Sequence, residues 1–293
     1  MIPERYLSPE QWIRKGEWLV TTAPQSSLHL PEKLASKLAH RGELVKAGDR
    51  LRVRLFPEET DPIPAYWTEL EVLYDDDFCM VVNKPAGMLV HPTVPDQVET
   101  LANAVASYYA CSGQQHRVRH IHRLDEYTTG PVLYAKNEFS QVRLDEAMRE
   151  KAIERVYVAF VQGIVDPKLR KIDAPIGKDR HHKQRRRVSP TGDHAVTHVE
   201  LIETFPHAGV SLVRLQLETG RTHQIRVHMS HAGHPLLGDT LYGGSDEHAA
   251  YQALHGELLR FEHPMYGEQL EVKAPWTSMF KELYAKFSGS NTV

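Results

Sequence analysis

Residues 122–130 read His-Arg-Leu-Asp-Glu-Tyr-Thr-Thr-Gly, a short polar loop that ends in glycine. Asp125 stands two positions after Arg123, so its carboxylate has a cationic neighbour. A carboxylate in such a place can stay ionised and can act as a nucleophile. Most exposed Arg–Asp pairs contribute little, and a Thr-Thr-Gly ending is also ordinary turn chemistry. The loop by itself therefore fits either a catalytic segment or a plain surface turn.

A second segment lies upstream of this loop. Residues 78–92 read Phe-Cys-Met-Val-Val-Asn-Lys-Pro-Ala-Gly-Met-Leu-Val-His-Pro. The run from Phe78 to Val82 is short, apolar and rich in valine, which predicts a buried strand. Pro85 and Gly87 then end the strand, because proline cannot donate to a strand ladder and glycine relaxes the backbone. We interpret this segment as scaffolding.

A third segment lies downstream. Residues 217–235 read Leu-Glu-Thr-Gly-Arg-Thr-His-Gln-Ile-Arg-Val-His-Met-Ser-His-Ala-Gly-His-Pro, and residues 236–243 continue Leu-Leu-Gly-Asp-Thr-Leu-Tyr-Gly. Ile225, Met229 and Ala232 fall on one face at helical spacing. Gly233 stands where a helix C-terminal cap belongs, and Pro235 prevents continuation. The pattern predicts a glycine turn followed by a helix near residues 222–232.

Taken in order, the three segments resemble the motifs of the RluA family of RNA pseudouridine synthases. The family patterns are Asn-Lys-Pro-x-Gly with Val-His-Pro, then His-Arg-Leu-Asp-x-x-Thr-Ser-Gly, then Thr-Gly-Arg-x-His-Gln-Ile-Arg-Val-His with Gly-Asp-x-Leu-Tyr-Gly. The resemblance covers roughly residues 67–285. It implies an isomerase that converts specific uridines within ribosomal or transfer RNA to pseudouridine. Such an enzyme breaks the N1–C1′ bond and rejoins the base through C5, after the base has left its stack.

The resemblance also assigns catalytic residues. Asp125 is implied as the nucleophile or as the base that acts at the ribose, and the sequence leaves open whether it attacks the base or the sugar. Arg226 is implied as the partner that keeps Asp125 ionised. Tyr157 lies in a predicted strand and matches the family's Lys-x-Tyr-x-Ala segment, where the tyrosine stacks on the flipped base. Without the resemblance, Tyr157 would be taken as a buried ring packed on the sheet, and Arg226 as a surface residue.

RNA contacts are expected at six basic residues. Arg123 is implied to fill the gap left by the flipped base or to hold a phosphate, since a planar guanidinium can do both. Residues 178–187 form a basic run between Pro175 and Pro190, which is either a solvated loop or a phosphate-binding segment. We expect phosphate contacts, although the net charge of −3 argues mildly against a general nucleic-acid binder. The expected RNA-binding residues are Arg123, Lys183, Arg185, Arg186, Arg187 and Arg221.

Composition indicates a cytoplasmic, monomeric enzyme without cofactor or metal. No apolar run approaches membrane-spanning length, and the N-terminus lacks the layout of a signal peptide. The two cysteines, Cys79 and Cys111, are too few for a disulfide framework and are expected to be reduced. His223 and His228 are five residues apart, which does not suit a zinc site on one helix face. Neither a glycine-rich phosphate loop nor a dinucleotide fingerprint is present.

The order of elements predicts an α+β fold, with a mainly antiparallel central sheet, flanking helices and a small N-terminal α/β domain. Strands are expected near residues 69–83, 131–136, 155–162, 197–204 and 210–217, and helices near 100–110, 140–150 and 222–232. Residues 1–66 are expected to form the accessory domain and linker, a degenerate RNA-binding module with a helix over 28–41 and a hairpin over 42–55. Residues 67–293 are expected to form the catalytic domain.

Two other function classes remain open from the sequence. A glycosidase with an Asp nucleophile would need a second carboxylate about 5 Å from Asp125, and Glu126 is adjacent in the chain. A catalytically inactive RNA-binding protein would be expected to lack Asp125 or Tyr157, and both are present. The sequence does not name the target RNA.

Overall fold

The computed structural model describes residues 6–289. Its N-terminal part is a four-stranded antiparallel sheet in the order β1-β2-β4-β3. The strands and the helix beside them are β1 (Trp12–Lys15), β2 (Trp18–Thr21), α1 (Glu32–His40), β3 (Leu44–Ala47) and β4 (Arg50–Arg54). The hairpin expected over 42–55 is confirmed, and its turn uses Gly48 with a positive φ of 61°. The helix begins at Glu32 rather than near residue 28, because Pro31 at the preceding position is extended.

A second four-stranded sheet, in the order β5-β6-β8-β7, begins the part of the chain that is expected to be catalytic. Its strands are β5 (Glu71–Asp75), β6 (Cys79–Lys84), β7 (Arg119–His120) and β8 (Gly130–Ala135). The buried strand expected over 78–82 is confirmed as β6. The single strand expected near 69–83 is wrong in its extent, since two strands and a turn occupy this range. The turn forms because Asp76 Oδ1 accepts the backbone N–H groups of Phe78 at 2.7 Å and Cys79 at 2.8 Å.

The largest sheet has six strands, all antiparallel, in the order β10-β13-β14-β9-β15-β16. The strands of this sheet and of a separate small hairpin, β11–β12, are β9 (Glu154–Gln162), β10 (Lys171–Asp173), β11 (Ile176–Lys178), β12 (Arg186–Val188), β13 (Val196–Phe205), β14 (Val210–Leu217), β15 (Leu254–Glu262) and β16 (Gln269–Lys273). The strands expected near 155–162, 197–204 and 210–217 are confirmed. The α+β, mainly antiparallel architecture is confirmed as well.

Four helices flank these sheets: α2 (Leu101–Cys111), α3 (Glu138–Arg149), α4 (Gln224–His231) and α5 (Ser278–Ser288). Three of them were expected from the sequence. Helices α3 and α5 begin at capping side chains: Asn137 accepts the Ser140 N–H at 2.9 Å, and Thr277 accepts the Phe280 N–H. Helix α4 starts two residues later than expected, because His223 has a left-handed backbone with φ 57°. None of the helices among residues 6–289 is both long and apolar enough to cross a membrane.

The second and third sheets meet at the end of the 122–130 loop. The Gly256 N–H of β15 donates to the Thr129 carbonyl at 2.8 Å, and Thr129 Oγ1 lies 2.8 Å from His255 Nδ1. Gly130 has φ 123°, and a Cβ there would lie 2.5 Å from the Gly256 carbonyl oxygen. Only glycine fits both requirements. The loop is therefore held at the seam between the two sheets.

The N-terminal sheet packs against the catalytic part through one apolar cluster. Leu19 and Val53 from the first sheet and Phe78 and Phe139 from the catalytic part belong to this cluster, and all four are buried. Phe56 joins them, with its ring centroid 5.6 Å from that of Phe78. The accessory part is therefore docked by aromatic packing. The boundary near residue 66 and an RNA-binding role for this part stay predictions.

Candidate active site

Lys84 anchors the loop that carries Asp125. The side chain is fully buried, and its Nζ donates to the carbonyl oxygens of Pro85 at 2.8 Å, Met88 at 2.7 Å and Glu126 at 2.6 Å. Burial lowers the pKa of Lys84 to about 7, against the opposing charges of Asp125 and Glu126. Three acceptors match the three hydrogens of an ammonium group. Lys84 thus ties the turn after β6 to the backbone that follows Asp125.

Gln224 fixes the start of helix α4 on the other side of the site. Its Oε1 accepts the Thr219 hydroxyl at 2.7 Å and the Arg221 N–H at 3.0 Å. Its Nε2 donates to the Val196 carbonyl at 2.9 Å. The amide is almost fully buried, so these bonds are shielded from water. They place the first turn of the helix, which also carries Arg226, against the loop of Asp125.

Arg226 bridges two carboxylates. Its Nη1 lies 3.3 Å from Asp125 Oδ2, while its Nε and Nη2 donate to Asp239 at 2.7 Å and 2.8 Å. Burial alone would lower the pKa of Arg226, but its hydrogen bonds to Asp239 and the charges of both carboxylates outweigh burial and raise it. The bidentate pair with Asp239 fixes the plane of the guanidinium. The remaining Nη1 is left to donate to Asp125.

His223 lies between Asp125 and Tyr242 and contacts both. His223 Nε2 lies 4.0 Å from Asp125 Oδ2, and His223 Nδ1 lies 2.8 Å from the Tyr242 hydroxyl. That hydroxyl accepts the backbone N–H of Arg186 at 2.9 Å, and the Tyr242 ring lies under the Arg226 guanidinium at 4.9 Å. Burial lowers the pKa of His223, although Asp125 opposes the shift. A neutral imidazole that accepts at Nδ1 carries its proton on Nε2, facing Asp125.

Two cavities open on either side of Asp125. The first has a volume of about 610 Å³ and contains Tyr157 in its wall, and the second has a volume of about 390 Å³. Tyr157 lies on β9 opposite Gly256 of β15, and the missing side chain of Gly256 lets the chain at residues 129–131 approach closely. Burial raises the pKa of Tyr157, and Asp125 adds to this effect while Arg155 opposes it. The Tyr157 hydroxyl therefore stays protonated at neutral pH.

The structure separates the expected RNA-binding residues into two groups. Arg123 and Arg221 are exposed and line the first cavity together with Asp125, Tyr157 and Arg226. The other four belong to the β11–β12 hairpin and its turn, and they do not line that cavity: Lys183, Arg185, Arg186 and Arg187. The basic run is therefore a hairpin next to the site.

Within this hairpin the four residues differ in exposure. Lys183 and Arg187 are exposed, whereas Arg185 and Arg186 are half-buried. The Arg185 guanidinium lies 5.7 Å from the ring centroid of Tyr242. The half-buried pair thus holds the hairpin against the site, and the exposed pair faces solvent.

Asp239, the other carboxylate bound to Arg226, is not free to react beside Asp125. Both oxygens of Asp239 are bound to the guanidinium, and its side chain is 1% exposed. Glu126 is exposed, and its backbone carbonyl accepts a hydrogen bond from Lys84 Nζ. Both oxygens of Asp239 are thus committed to a buried pair with Arg226, which gives Asp239 a structural role at this site. The geometry gives the glycosidase alternative no support.

One group of possible metal ligands exists among residues 6–289, and it lies away from both cavities. It consists of Asp76, Cys79 and His263. Asp76 Oδ2 accepts His263 Nε2 at 2.7 Å and the Tyr74 hydroxyl at 2.9 Å, and His263 Nδ1 accepts the Met265 N–H at 3.1 Å. The carboxylate and imidazole are thus committed to hydrogen bonds that join β5, β6 and the segment after β15.

Sequence reasoning missed part of this site. Asp239 and Tyr242 belong to the quoted Gly-Asp-x-Leu-Tyr-Gly motif, but no role was given to either. His223 was considered only as a possible metal ligand. Asp239 could have been suspected as a partner of Arg226, because a buried charge must be paired and hydrogen-bonded. The contact of Tyr242 with Arg186 joins residues 56 positions apart, so no local pattern could have predicted it.

Comparison with known proteins gives a consistent result. The profile of the family described as RNA pseudouridylate synthase matches residues 78–231. "Uncharacterized RNA pseudouridine synthase YhcT" of Bacillus subtilis (strain 168) is 42% identical over 279 residues, covering 92% of each chain. "Ribosomal large subunit pseudouridine synthase D" of Vibrio cholerae is 38% identical over 263 residues, covering 83% of this chain and 80% of the relative.

The fold has a counterpart among solved structures. The structure titled "Human RNA Pseudouridylate Synthase Domain Containing 1" superposes with a TM-score of 0.59 at 25% sequence identity. The match covers 73% of this chain and 86% of the human chain. The sheet arrangement around Asp125 is therefore shared with a pseudouridylate synthase domain.

Proposed function

The chain belongs to the RluA family of RNA pseudouridine synthases, which isomerise uridines within RNA, and we propose that Asp125, Arg226 and Tyr157 carry this reaction. One observation supports the proposal above all others. Asp125 lies between two cavities with its carboxylate 3.3 Å from a guanidinium that Asp239 already holds in place. An anion that is both paired and 27% exposed can reach a bound nucleoside.

Arg226 has the role of keeping Asp125 ionised and oriented. In the reaction the N1–C1′ bond of uridine breaks, the base turns, and C5 bonds to C1′. The proton on C5 leaves, and N1 gains a proton, so the product is an isomer of the substrate. Asp125 supplies the anionic oxygen that starts this sequence, and a neutral carboxyl group could not do so.

Tyr157 has the role of receiving the flipped base. Its ring forms part of the wall of the 610 Å³ cavity, and its hydroxyl is protonated because burial raises its pKa. A flat protonated phenol can stack on uracil and can donate a hydrogen bond during a late proton transfer. Arg123, exposed at the same cavity, is suited to the space that the base vacates or to a phosphate.

We propose RNA of the large ribosomal subunit as the substrate. The support is the name of the Vibrio cholerae relative, "Ribosomal large subunit pseudouridine synthase D". Lys183 and Arg187 on the β11–β12 hairpin, and Arg221 at the first cavity, would hold its phosphates. Such a substrate places the enzyme in the cytoplasm. Because Asp125, Arg226 and Asp239 all come from one chain, we propose that it works as a monomer.

The test is a map of pseudouridine in total RNA from cells with the gene, without it, and without it but carrying Asp125→Asn. We expect one or a few large-subunit positions to lose pseudouridine in the second strain and to stay uridine in the third. Restoration by the wild-type gene is the control. Identical maps in all three strains would contradict the function, and lost positions confined to transfer RNA would contradict the substrate.

A further inference from the structure

In the wall of the second cavity next to Asp125, two aromatic side chains each stack on another ring. Tyr127 and His91 both line this cavity of about 390 Å³. Tyr127 stacks on Tyr251, with ring centroids 5.4 Å apart and planes at 29°. His91 stacks on His120, with centroids 4.8 Å apart and planes at 12°. Each lining ring is thus backed by another ring, which fixes it before any ligand arrives.

The charges around this cavity suit a nucleotide. Arg123 and Arg226 line it together with Asp125, and all three residues also line the first cavity. Burial and the nearby Arg123 lower the pKa of His91. A neutral imidazole can stack or hydrogen-bond to a base edge without repelling Arg123. The cavity therefore offers apolar rings for a base and a guanidinium for a phosphate.

Tyr127 is the exposed member of this arrangement. Its side chain is 41% exposed although it lies only two residues after Asp125, in the loop that Lys84 anchors. An aromatic ring left open to solvent on a fixed loop gains most if a planar ligand covers it. The cavity volume falls within the range of about 300–1,000 Å³ that is usual for small-ligand sites. Gln184, from the turn of the basic hairpin, forms part of the same wall.

We propose that this cavity binds an unpaired nucleobase that neighbours the target uridine on the same RNA strand, with Tyr127 as its stacking platform. The inference rests on the proposed function for the presence of RNA. It adds that the substrate is an unpaired segment of RNA, in which the target uridine and one neighbouring base are both unstacked. Stacking of a base on an aromatic side chain is tolerant of base identity and contributes about 1–3 kcal/mol per base. Tyr127 is then a residue that sets the substrate class.

The experiment uses two labelled oligonucleotides with the full chain. The first is a short single-stranded oligoadenylate with one central uridine, and the second has abasic ribose in place of the adenosines beside that uridine. Fluorescence anisotropy at one fixed salt concentration measures both affinities. We expect the wild type to prefer the intact strand by about 5-fold to 150-fold, the fold-change that 1–3 kcal/mol represents.

Substitutions at Tyr127 decide the assignment. Tyr127→Ala should lose most of this preference, whereas Tyr127→Phe should keep it, because the ring is retained. Tyr66→Ala is a matched control, since Tyr66 is 37% exposed and lines neither cavity. Equal affinity of the wild type for the two strands would overturn the proposal, and so would an unchanged preference in Tyr127→Ala.

Failure of the subsite is distinguishable from failure of the proposed function. Binding preference needs no chemistry, so it can be measured on a protein that forms no pseudouridine. Tritium release from ribosomal RNA carrying 5-tritiated uridine reports the chemistry separately. Normal tritium release without any base preference would leave the synthase assignment intact and would remove only the neighbouring-base subsite.

Discussion

Arg226 holds Asp125 through Nη1, at 3.3 Å, while its other two nitrogens, Nε and Nη2, donate to Asp239. The two carboxylates differ in environment, since Asp239 is 1% exposed and Asp125 is 27% exposed. The buried carboxylate therefore fixes the cation, and the accessible one remains free to meet a substrate. Substitution of Arg226 should therefore affect both carboxylates.

Arg226→Ala should damage both stability and rate. The substitution leaves Asp239 buried without its partner, and breaking a buried pair in this way costs about 3–5 kcal/mol. Urea unfolding would measure the free energy of unfolding, and single-turnover tritium release would measure the rate. Arg226→Lys should recover part of the stability but little of the rate, because an ammonium group cannot form the bidentate pair. Arg221→Ala, at an exposed residue, is the control, and equal effects of the two alanine variants would contradict the prediction.

Asp125→Asn should fold normally and should form no pseudouridine. The side chains are nearly the same shape, but an amide has no anionic oxygen with which to attack or to take a proton. Tritium release from RNA with 5-tritiated uridine would measure the loss, and thermal unfolding would verify the fold. The charge-conserving but longer Asp125→Glu serves as the comparison. Activity of the asparagine variant within tenfold of wild type would refute the assignment.

The motifs around Asp125 could be predicted from sequence because each is local. The apolar run before Lys84 and the helical spacing of Ile225 and Met229 are patterns within a few residues, and both elements formed as expected. The strands β15 and β16 were not predicted. Residues 254–262 read Leu-His-Gly-Glu-Leu-Leu-Arg-Phe-Glu, where Gly256 and three charged residues interrupt any alternation. The strand character of β15 comes from pairing with β9, and that of β16 from pairing with β15, and not from intrinsic preference.

The contacts that complete the site could not be predicted for a related reason. Thr129 contacts His255, which is 126 residues away in the chain, and Lys84 contacts the Glu126 carbonyl 42 residues away. Neither Thr129 nor Lys84 signals its partner in sequence. Such contacts arise only when two sheets are brought together by the whole fold.

Tyr242→Phe should lower both stability and the catalytic rate. The hydroxyl joins His223 Nδ1 to the Arg186 N–H, so its removal leaves two groups without this partner, at a cost of about 1–3 kcal/mol. His223 would no longer be fixed 4.0 Å from Asp125. Thermal unfolding and kcat on saturating RNA would measure the two effects. Tyr66→Phe, whose hydroxyl is at the surface, is the control, and an unchanged kcat would show that His223 needs no such support.

The exposed and half-buried residues of the β11–β12 hairpin should respond differently. Joint replacement of Lys183 and Arg187 by alanine should weaken RNA binding and reduce the salt slope by about one unit per lost phosphate contact. The single-turnover rate at saturating RNA should change little. Replacement of Arg185 by alanine should also lower the rate, because its guanidinium packs on the Tyr242 ring, whereas Arg186→Ala should have less effect, because Arg186 contacts Tyr242 through its backbone N–H. An unchanged salt slope in the first variant would mean that those side chains do not contact phosphates.

His122 should make the fold sensitive to acid. It is fully buried, and burial lowers its pKa from 6.5 to about 3, with Arg155 and His120 adding to the effect. Its Nε2 accepts the Leu133 N–H at 3.2 Å, which a proton on that atom would prevent. Between pH 6.5 and about 3 the unfolded chain binds a proton that the folded chain excludes. The free energy of unfolding therefore falls as the pH falls, at up to about 1.4 kcal/mol per pH unit.

The variant His122→Gln separates this effect from the titration of carboxylates. Glutamine can accept the same N–H but does not titrate, so its unfolding free energy should decline less steeply with acid than that of the wild type. Urea unfolding at several values between pH 7 and pH 4.5 would measure both curves. Near pH 7 the variant should be the less stable protein, because its amide fits the site less well than imidazole. The two curves should approach each other as the pH falls, and parallel curves would mean that His122 takes up its proton in the folded state as readily as in the unfolded one.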